Sequence, residues 1–141
     1  MNELLIYQDK ILSLAAENKK SLPIENFNRS YDIKNPLCGD EAKVRIRLVN
    51  NEIDDISTIV RGCALCEASA GLTVKLFKNK KIPNNNFVKD FLNWLENKDQ
   101  DLPISLPEDI AVFTPIRDIK NRHKCITMPF EAILKSIKED L

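Results

Sequence analysis

No charge of either sign dominates this chain: lysine plus arginine number 21, and so do aspartate plus glutamate. The basic field that would point to nucleic acid or an anionic membrane surface is missing. No apolar run approaches the roughly 18 residues that cross a bilayer. The opening residues, Met1-Asn2-Glu3-Leu4-Leu5, lack the basic, apolar and small-residue order of a secretory signal, so a cytoplasmic location is expected. Three glycines and seven prolines exclude a low-complexity chain, and there is no internal repeat. What is present is an ordinary globular composition, 43% hydrophobic and 30% charged over 141 residues. That length suits one domain, residues 1–141, with a core of real size.

Cysteine is the informative residue. Four occur, at Cys38, Cys63, Cys66 and Cys125. In a reducing compartment they read as free, metal-bound or catalytic thiols rather than as a disulfide framework. The chemistry centres on Arg61-Gly62-Cys63-Ala64-Leu65-Cys66-Glu67-Ala68-Ser69-Ala70-Gly71, which follows a strand-like run and opens a helix-like one. A thiol there faces the free N–H groups of a helix N-terminus, which favour its thiolate.

The surrounding pattern predicts an α+β domain, a small antiparallel sheet of about three strands covered on one face by helices. Leu4, Leu5, Ile11, Leu12, Ala15 and Ala16 give an amphipathic helix over 3–18. The polar stretch 18–30, interrupted by Pro23, reads as a loop whose Leu22, Ile24 and Phe27 dock on the body. Asn35-Pro36-Leu37-Cys38-Gly39-Asp40 is turn chemistry. Val44, Ile46 and Leu48 alternate with Lys43, Arg45 and Arg47, a half-buried strand with a basic outer face. Asn50-Asn51 marks a hairpin turn, Ile56, Thr58 and Val60 a second strand, and Asp54-Asp55 a bulge. Two strands are too few to be stable, so residues near Ser30 to Ile33 are expected to supply a third.

Leu65, Ala68, Leu72 and Leu76 predict a helix to Phe77, in a region that Pro83 ends. Phe87, Phe91, Trp94 and Leu95 predict another, followed by a polar loop over 96–101. Ser105-Leu106-Pro107-Glu108 has the form of a capping box for a short helix carrying Ile110 and Phe113, which Pro115 would stop. Phe130, Ile133, Leu134 and Ile137 define a last helix, with Thr127 as its N-cap and Pro129 in its first turn.

Cys38, Cys63 and Cys125 all fall at joints between these elements. Strand ends and helix N-termini on one rim of a sheet can converge, and Asp40 can add an oxygen ligand. Three thiolates and a carboxylate suit tetrahedral zinc, or an exposed Fe–S cluster made more transferable by its one oxygen donor. Arg61, Arg122 and Lys124 stand beside the thiols to offset the excess negative charge. Asp40 is either such a ligand or an aspartate bonded to its own turn. Cys66, three residues beyond Cys63, either joins the site or packs in the core. His123, the only histidine, is expected to take a surface role.

Asn35-Pro36-Leu37-Cys38-Gly39-Asp40, Gly62-Cys63-Ala64-Leu65-Cys66-Glu67-Ala68-Ser69 and Arg122-His123-Lys124-Cys125 resemble the three cysteine motifs of IscU/NifU-type iron–sulfur assembly proteins. The motifs occur in order and at matching separations across most of the chain. Two features are similar to the SufU branch. Cys63 and Cys125 are 62 residues apart, which leaves room for a segment over Phe87–Asp109 that IscU lacks, and Lys124 stands where IscU has histidine. The resemblance implies that Cys38, Asp40, Cys63 and Cys125 bind zinc or a [2Fe–2S] cluster. It implies Cys125 or Cys38 as the thiol that accepts persulfide sulfur from a PLP-dependent cysteine desulfurase. It also implies downstream iron–sulfur acceptor proteins as partners. The chain departs from SufU relatives at Cys66, where they tend to carry serine, and at Glu67, which replaces an apolar residue.

Three functions are therefore expected in competition. The first is a scaffold or sulfur acceptor for iron–sulfur cluster assembly. The second is a thiol–disulfide oxidoreductase using Cys63-Ala64-Leu65-Cys66. The third is a zinc-stabilised binding module without turnover.

Overall fold

The computed structural model describes residues 3–138. Helix α1 covers Glu3–Lys19, and strands β1 (Arg29–Lys34), β2 (Glu41–Val49) and β3 (Glu52–Arg61) follow. Helix α2 (Ala64–Phe77) leads to a two-residue strand β4 (Lys80–Lys81), then α3 (Phe87–Glu96). Two 3₁₀ stretches, Glu108–Asp118 and Lys120–Arg122, run into α4 (His123–Lys138). The strands form one antiparallel sheet in the order β1-β2-β3-β4.

The hairpin between β2 and β3 turns on Asn50 and Asn51, whose φ values of 52° and 65° are positive. Asparagine tolerates that left-handed backbone, and two such residues in succession suit the turn to the twist of the strands. The expected bulge is real. Arg47 pairs with Asp55 but Leu48 with Ile53, so Asp54 is the extra residue. That insertion puts Ile53 and Ile56 on the same face although they are three apart, and both are buried with Ala42, Val44 and Ile46. The fourth strand was not legible in the pattern, because Lys80-Lys81 has no alternation to read. It pairs only with Glu52 and Ile53.

Helices α2 and α4 lie on the apolar face of the sheet, and α1 packs along α2. Gly71 permits that last approach, since a Cβ there would stand 2.8 Å from the Leu14 carbonyl oxygen. The contact line of α1 is narrower than its apolar stripe: Ile11 and Ala15 are buried, whereas Leu4, Leu5 and Leu12 face solvent. Asn18, one turn on, is buried and donates to the Thr58 carbonyl (3.0 Å) and to the Glu67 carboxylate. The opposite face of the sheet is crossed by the 20–28 loop. Ser57 and Arg45 hydrogen-bond the Ile24 backbone, and Arg45 lies 4.6 Å over the Phe27 ring. Leu22, expected to dock with them, is instead 81% exposed.

The segment between α2 and α4 is anchored by rings. Phe87 stacks on Phe130 at 5.2 Å, and Phe91 meets Phe130 edge-on at 5.3 Å. Three local expectations fail here. Ser105 does not cap a helix; its hydroxyl donates to Asp90, and Pro107 stands at the cap position. Pro115 does not stop the following helix, because the run is 3₁₀ and continues to Asp118; proline's fixed φ is compatible with that geometry. Helix α4 begins at His123, so Thr127 is a buried interior residue and Pro129 sits in the second turn. Proline there has no N–H to offer the preceding turn, and the Ser69 hydroxyl of α2 donates to the Ile126 carbonyl alongside.

Candidate metal centre

The β1–β2 loop places Cys38 and Asp40. Asn35 N–H donates to the Asp40 carbonyl and Gly39 N–H to the Asn35 carbonyl, both at 2.8 Å. The Asn35 side chain accepts from Leu37 N–H at 3.1 Å. Gly39 has φ +78°, the left-handed backbone that glycine adopts without strain. This tight loop leaves Cys38 exposed and turns Asp40 inward, to 6% exposure.

The end of β3 places Cys63. It is the N-cap of α2, and its sulfur accepts the N–H of Cys66 at 3.5 Å. Cys125 comes from the first turn of α4, inside the helix rather than before it, and is 1% exposed. The sulfurs of Cys38 and Cys125 and a carboxylate oxygen of Asp40 all lie within 4.8 Å of one another. Atoms bound to one zinc at about 2.0–2.3 Å can stand no more than roughly 4.6 Å apart. The observed group is close to that limit. It does not include Cys63, but the Cys63 thiol hydrogen-bonds with that of Cys125.

Two features fit a cation at this point. Asp40 Oδ2 is buried without a hydrogen-bond partner, a costly state for an acceptor unless something positive meets it. Gly62 supplies the space. A Cβ there would lie 2.5 Å from Asp40 Cγ and 2.6 Å from Oδ1, so only glycine lets the carboxylate sit where it does. Gly62 was not singled out from sequence, although its place directly before Cys63 was a signal.

The metal-free centre resists ionisation. The Cys125 thiol is pushed up from its ordinary 9.0 to about 12, first by burial and then by Cys63 and Cys38, while Arg122 hydrogen-bonds it and pulls the other way. Burial, followed by the charges of Asp40, Cys63, Cys125 and Glu67, holds the Cys66 thiol well above its ordinary range. A bound dication reverses this balance, because a coordinating thiol is deprotonated outright.

Of the three cations expected to flank the thiols, Arg122 is the one whose hydrogen bond reaches Cys125. Lys124 instead pairs with Glu131 at 2.8 Å, and Arg61 sits on the rim of the sheet opposite Glu41. Cys66 is fully buried, packed with Ala42, Cys125 and Met128 against Cys63. His123 is not a surface residue. It is 4% exposed, and its Nε2 stands 3.0 Å from the Ile116 carbonyl and 3.3 Å from that of Arg117. It therefore fastens the end of the 3₁₀ stretch to the start of α4, next to the helical turn that carries Cys125.

The fold and the centre define a small α+β domain that gathers thiols and one carboxylate at the rim of its sheet. The NifU-like N-terminal domain family matches residues 6–138, and the chain belongs to that family. It is 26% identical over 125 residues to the zinc-dependent sulfurtransferase SufU of Bacillus subtilis, covering 88% of this chain and 84% of that protein. Two iron–sulfur cluster assembly scaffold proteins of Archaeoglobus fulgidus, both named IscU, are 29% identical over 77 residues, 55% of this chain and half of theirs. Among solved structures, the SufU protein of Fervidobacterium islandicum AW-1 superposes with a TM-score of 0.76 at 21% identity, covering 96% of this chain and 99% of that one. A NifU-like N-terminal domain from Brucella abortus gives 0.78 at 20% identity, covering 94% and 92%. The α+β architecture is thus that of the SufU/NifU-like scaffolds.

Proposed function

We propose that this member of the iron–sulfur assembly scaffold family accepts persulfide sulfur from a PLP-dependent cysteine desulfurase and holds it beside a metal. Downstream iron–sulfur proteins would then receive the sulfur or the assembled cluster. The observation that carries the reading is the convergence of Cys38, Asp40 and Cys125 within 4.8 Å, with an unpartnered carboxylate oxygen buried among them.

Cys38, Asp40, Cys63 and Cys125 are the residues that would hold zinc, the metal named for the Bacillus relative. Bound there, it would keep the ligating thiols as thiolates at neutral pH. A [2Fe–2S] cluster, as assembled on scaffolds of this family, would be the cargo of the same residues. Cys38 is the exposed thiol, so it is the one an incoming persulfide meets first. Its thiolate attacks the outer sulfur of the donor. The donor's S–S bond breaks, its cysteine leaves as thiolate and takes up the proton, and Cys38 carries the persulfide. Cys125, within 4.8 Å of Cys38, is the next acceptor, and Arg122 stands against it. A cytoplasmic setting agrees with four cysteines that are all free thiols.

The test is metal and acid-labile sulfide content of protein purified without oxygen, then incubation with desulfurase and cysteine, with and without iron. Zinc alone with sulfur uptake on a thiol supports the acceptor role, and iron with sulfide the scaffold role. Absence of both sulfur uptake and cluster absorbance would overturn the reading. Cys125→Ser is expected to abolish function while the chain still folds.

A further inference from the structure

We propose that Cys66 is a resolving thiol, which releases accepted sulfur as sulfide and leaves a Cys63–Cys66 disulfide. This rests on the sulfur-accepting reading above and adds a chemical step to it. The four thiols differ in access: Cys38 is exposed and Cys63 half-buried, whereas Cys125 and Cys66 are buried. Cys38 is within 4.8 Å of Cys125. Cys125 is 1% exposed and lies in one small cluster with Cys66, against which Cys63 packs. Cys66 is fully buried.

The last link joins two thiols on one helical turn. Cys63 is the N-cap of α2 and Cys66 the third residue of that helix. The Cys66 N–H bonded to the Cys63 sulfur at 3.5 Å shows that this side chain folds back over the first turn, where Cys66 stands. Residues three apart on a helix have Cβ atoms about 5–6 Å apart, and a disulfide needs about 3.5–4.5 Å, so closing the bond draws the two residues together by roughly 1–2 Å. Cys63 is the N-cap, with extended backbone, so that adjustment falls on the joint before α2 rather than on the helix itself. Cys63 and Cys66 both lie outside the Cys38–Asp40–Cys125 group, so a bond between them leaves those three ligand groups free. The contacts of Cys66 with Ala42, Cys125 and Met128 would be kept as well by any small apolar residue.

The step balances without an outside reductant. Sulfur first passes from the Cys125 persulfide to the Cys63 thiol by exchange, with no net redox change. The Cys66 sulfur then attacks the inner sulfur of the Cys63 persulfide. The persulfide S–S bond breaks, the Cys63–Cys66 S–S bond forms, and the departing hydrosulfide carries away the Cys66 proton as H₂S. The released sulfur gains two electrons, and the two cysteine sulfurs together lose them. Each chain acts once, until an external dithiol reduces the disulfide.

The experiment loads the full chain, purified without oxygen or thiol reductant, with inorganic polysulfide, desalts it at once, and follows released sulfide and intact mass. Expected for the unsubstituted chain is close to one sulfide per chain, loss of the added sulfur, and a mass lower than the starting thiol form by two hydrogens. Peptide mapping should place the disulfide at Cys63–Cys66. Cys66→Ser and Cys66→Ala should keep the added sulfur and release sulfide at least about tenfold more slowly. A disulfide that maps to Cys125 or Cys38, or equal release by the Cys66 variants, overturns the proposal. So does persulfide that persists on the unsubstituted chain, a readout that stands even if both variants misfold. Failure of any sulfur to load would instead count against the sulfur-accepting function itself.

Discussion

Gly62→Ala tests the centre through a single methyl group. The added Cβ would stand 2.5 Å from Asp40 Cγ, where carbon atoms rest at about 3.5–4.0 Å. Asp40 must therefore retreat by about 1 Å, or the start of α2 must move. The Asp40 backbone is held at 2.8 Å to Asn35, so the side chain gives way before the loop does. Metal–ligand distances tolerate only about 0.2 Å, and losing the support of a ligand typically costs about 10–100-fold in metal affinity. That is roughly 1.4–2.7 kcal/mol. Overpacking adds about 1–3 kcal/mol of destabilisation to the metal-free fold. Zinc competition against a chromophoric chelator measures the first quantity, and thermal melting in the presence of EDTA the second. Gly39→Ala is the comparison: its Cβ meets nothing within 4 Å but must adopt φ +78°, so it should cost about 1 kcal/mol of backbone strain with a smaller loss of zinc affinity. A Gly62→Ala protein that binds zinc as tightly as its parent would refute the argument that this glycine makes room for a ligand.

Three further outcomes are expected. Asn18→Leu removes the donor to the buried Glu67 carboxylate and to the Thr58 carbonyl and should cost about 1.5–3 kcal/mol in urea unfolding; a neutral result would mean that the network is not what joins α1 to the sheet. His123→Ala removes the ring contact to the Ile116 and Arg117 carbonyls, leaving Ile116 its bond from the Ile119 N–H, and should cost about 0.5–1.5 kcal/mol, with sulfur uptake falling along with the order around Cys125. Metal-free chain should lose stability as pH rises from 9.0 towards 12, because folding holds the Cys125 proton up to about 12 while the unfolded chain gives it up near 9.0. The slope is roughly 1.4 kcal/mol per pH unit for that thiol; it should diminish in Cys125→Ser and when zinc is bound, and a urea midpoint that stays flat over this range would contradict it.

The hairpin at Asn50-Asn51, the bulge at Asp54, the α2 span and the two long outer helices were all legible in the residues, because each depends on local periodicity or turn chemistry. The convergence of Cys38, Cys63 and Cys125, with Asp40 as an added ligand, was expected from motifs at element joints; the ligand atoms of Cys38, Asp40 and Cys125 lie within 4.8 Å of one another, and Cys63 is outside that group. Where local rules were read too far, packing overruled them. Thr127 and Pro129 carry N-terminal helix signals, yet both are buried inside a helix that starts at His123. Ser105-x-x-Glu108 is a capping motif that lost its serine to Asp90.

Sequence alone determined the elements that can make a thiol-bearing rim, since periods and turns are properties of neighbouring residues. Only the tertiary structure decided which groups share it: Arg122 rather than Lys124 reaches Cys125, His123 goes inward, and Gly62 clears the ground for Asp40. Those are distances between atoms remote along the chain, fixed by how α2, α4 and the β1–β2 loop pack together, and no pattern in one dimension carries them.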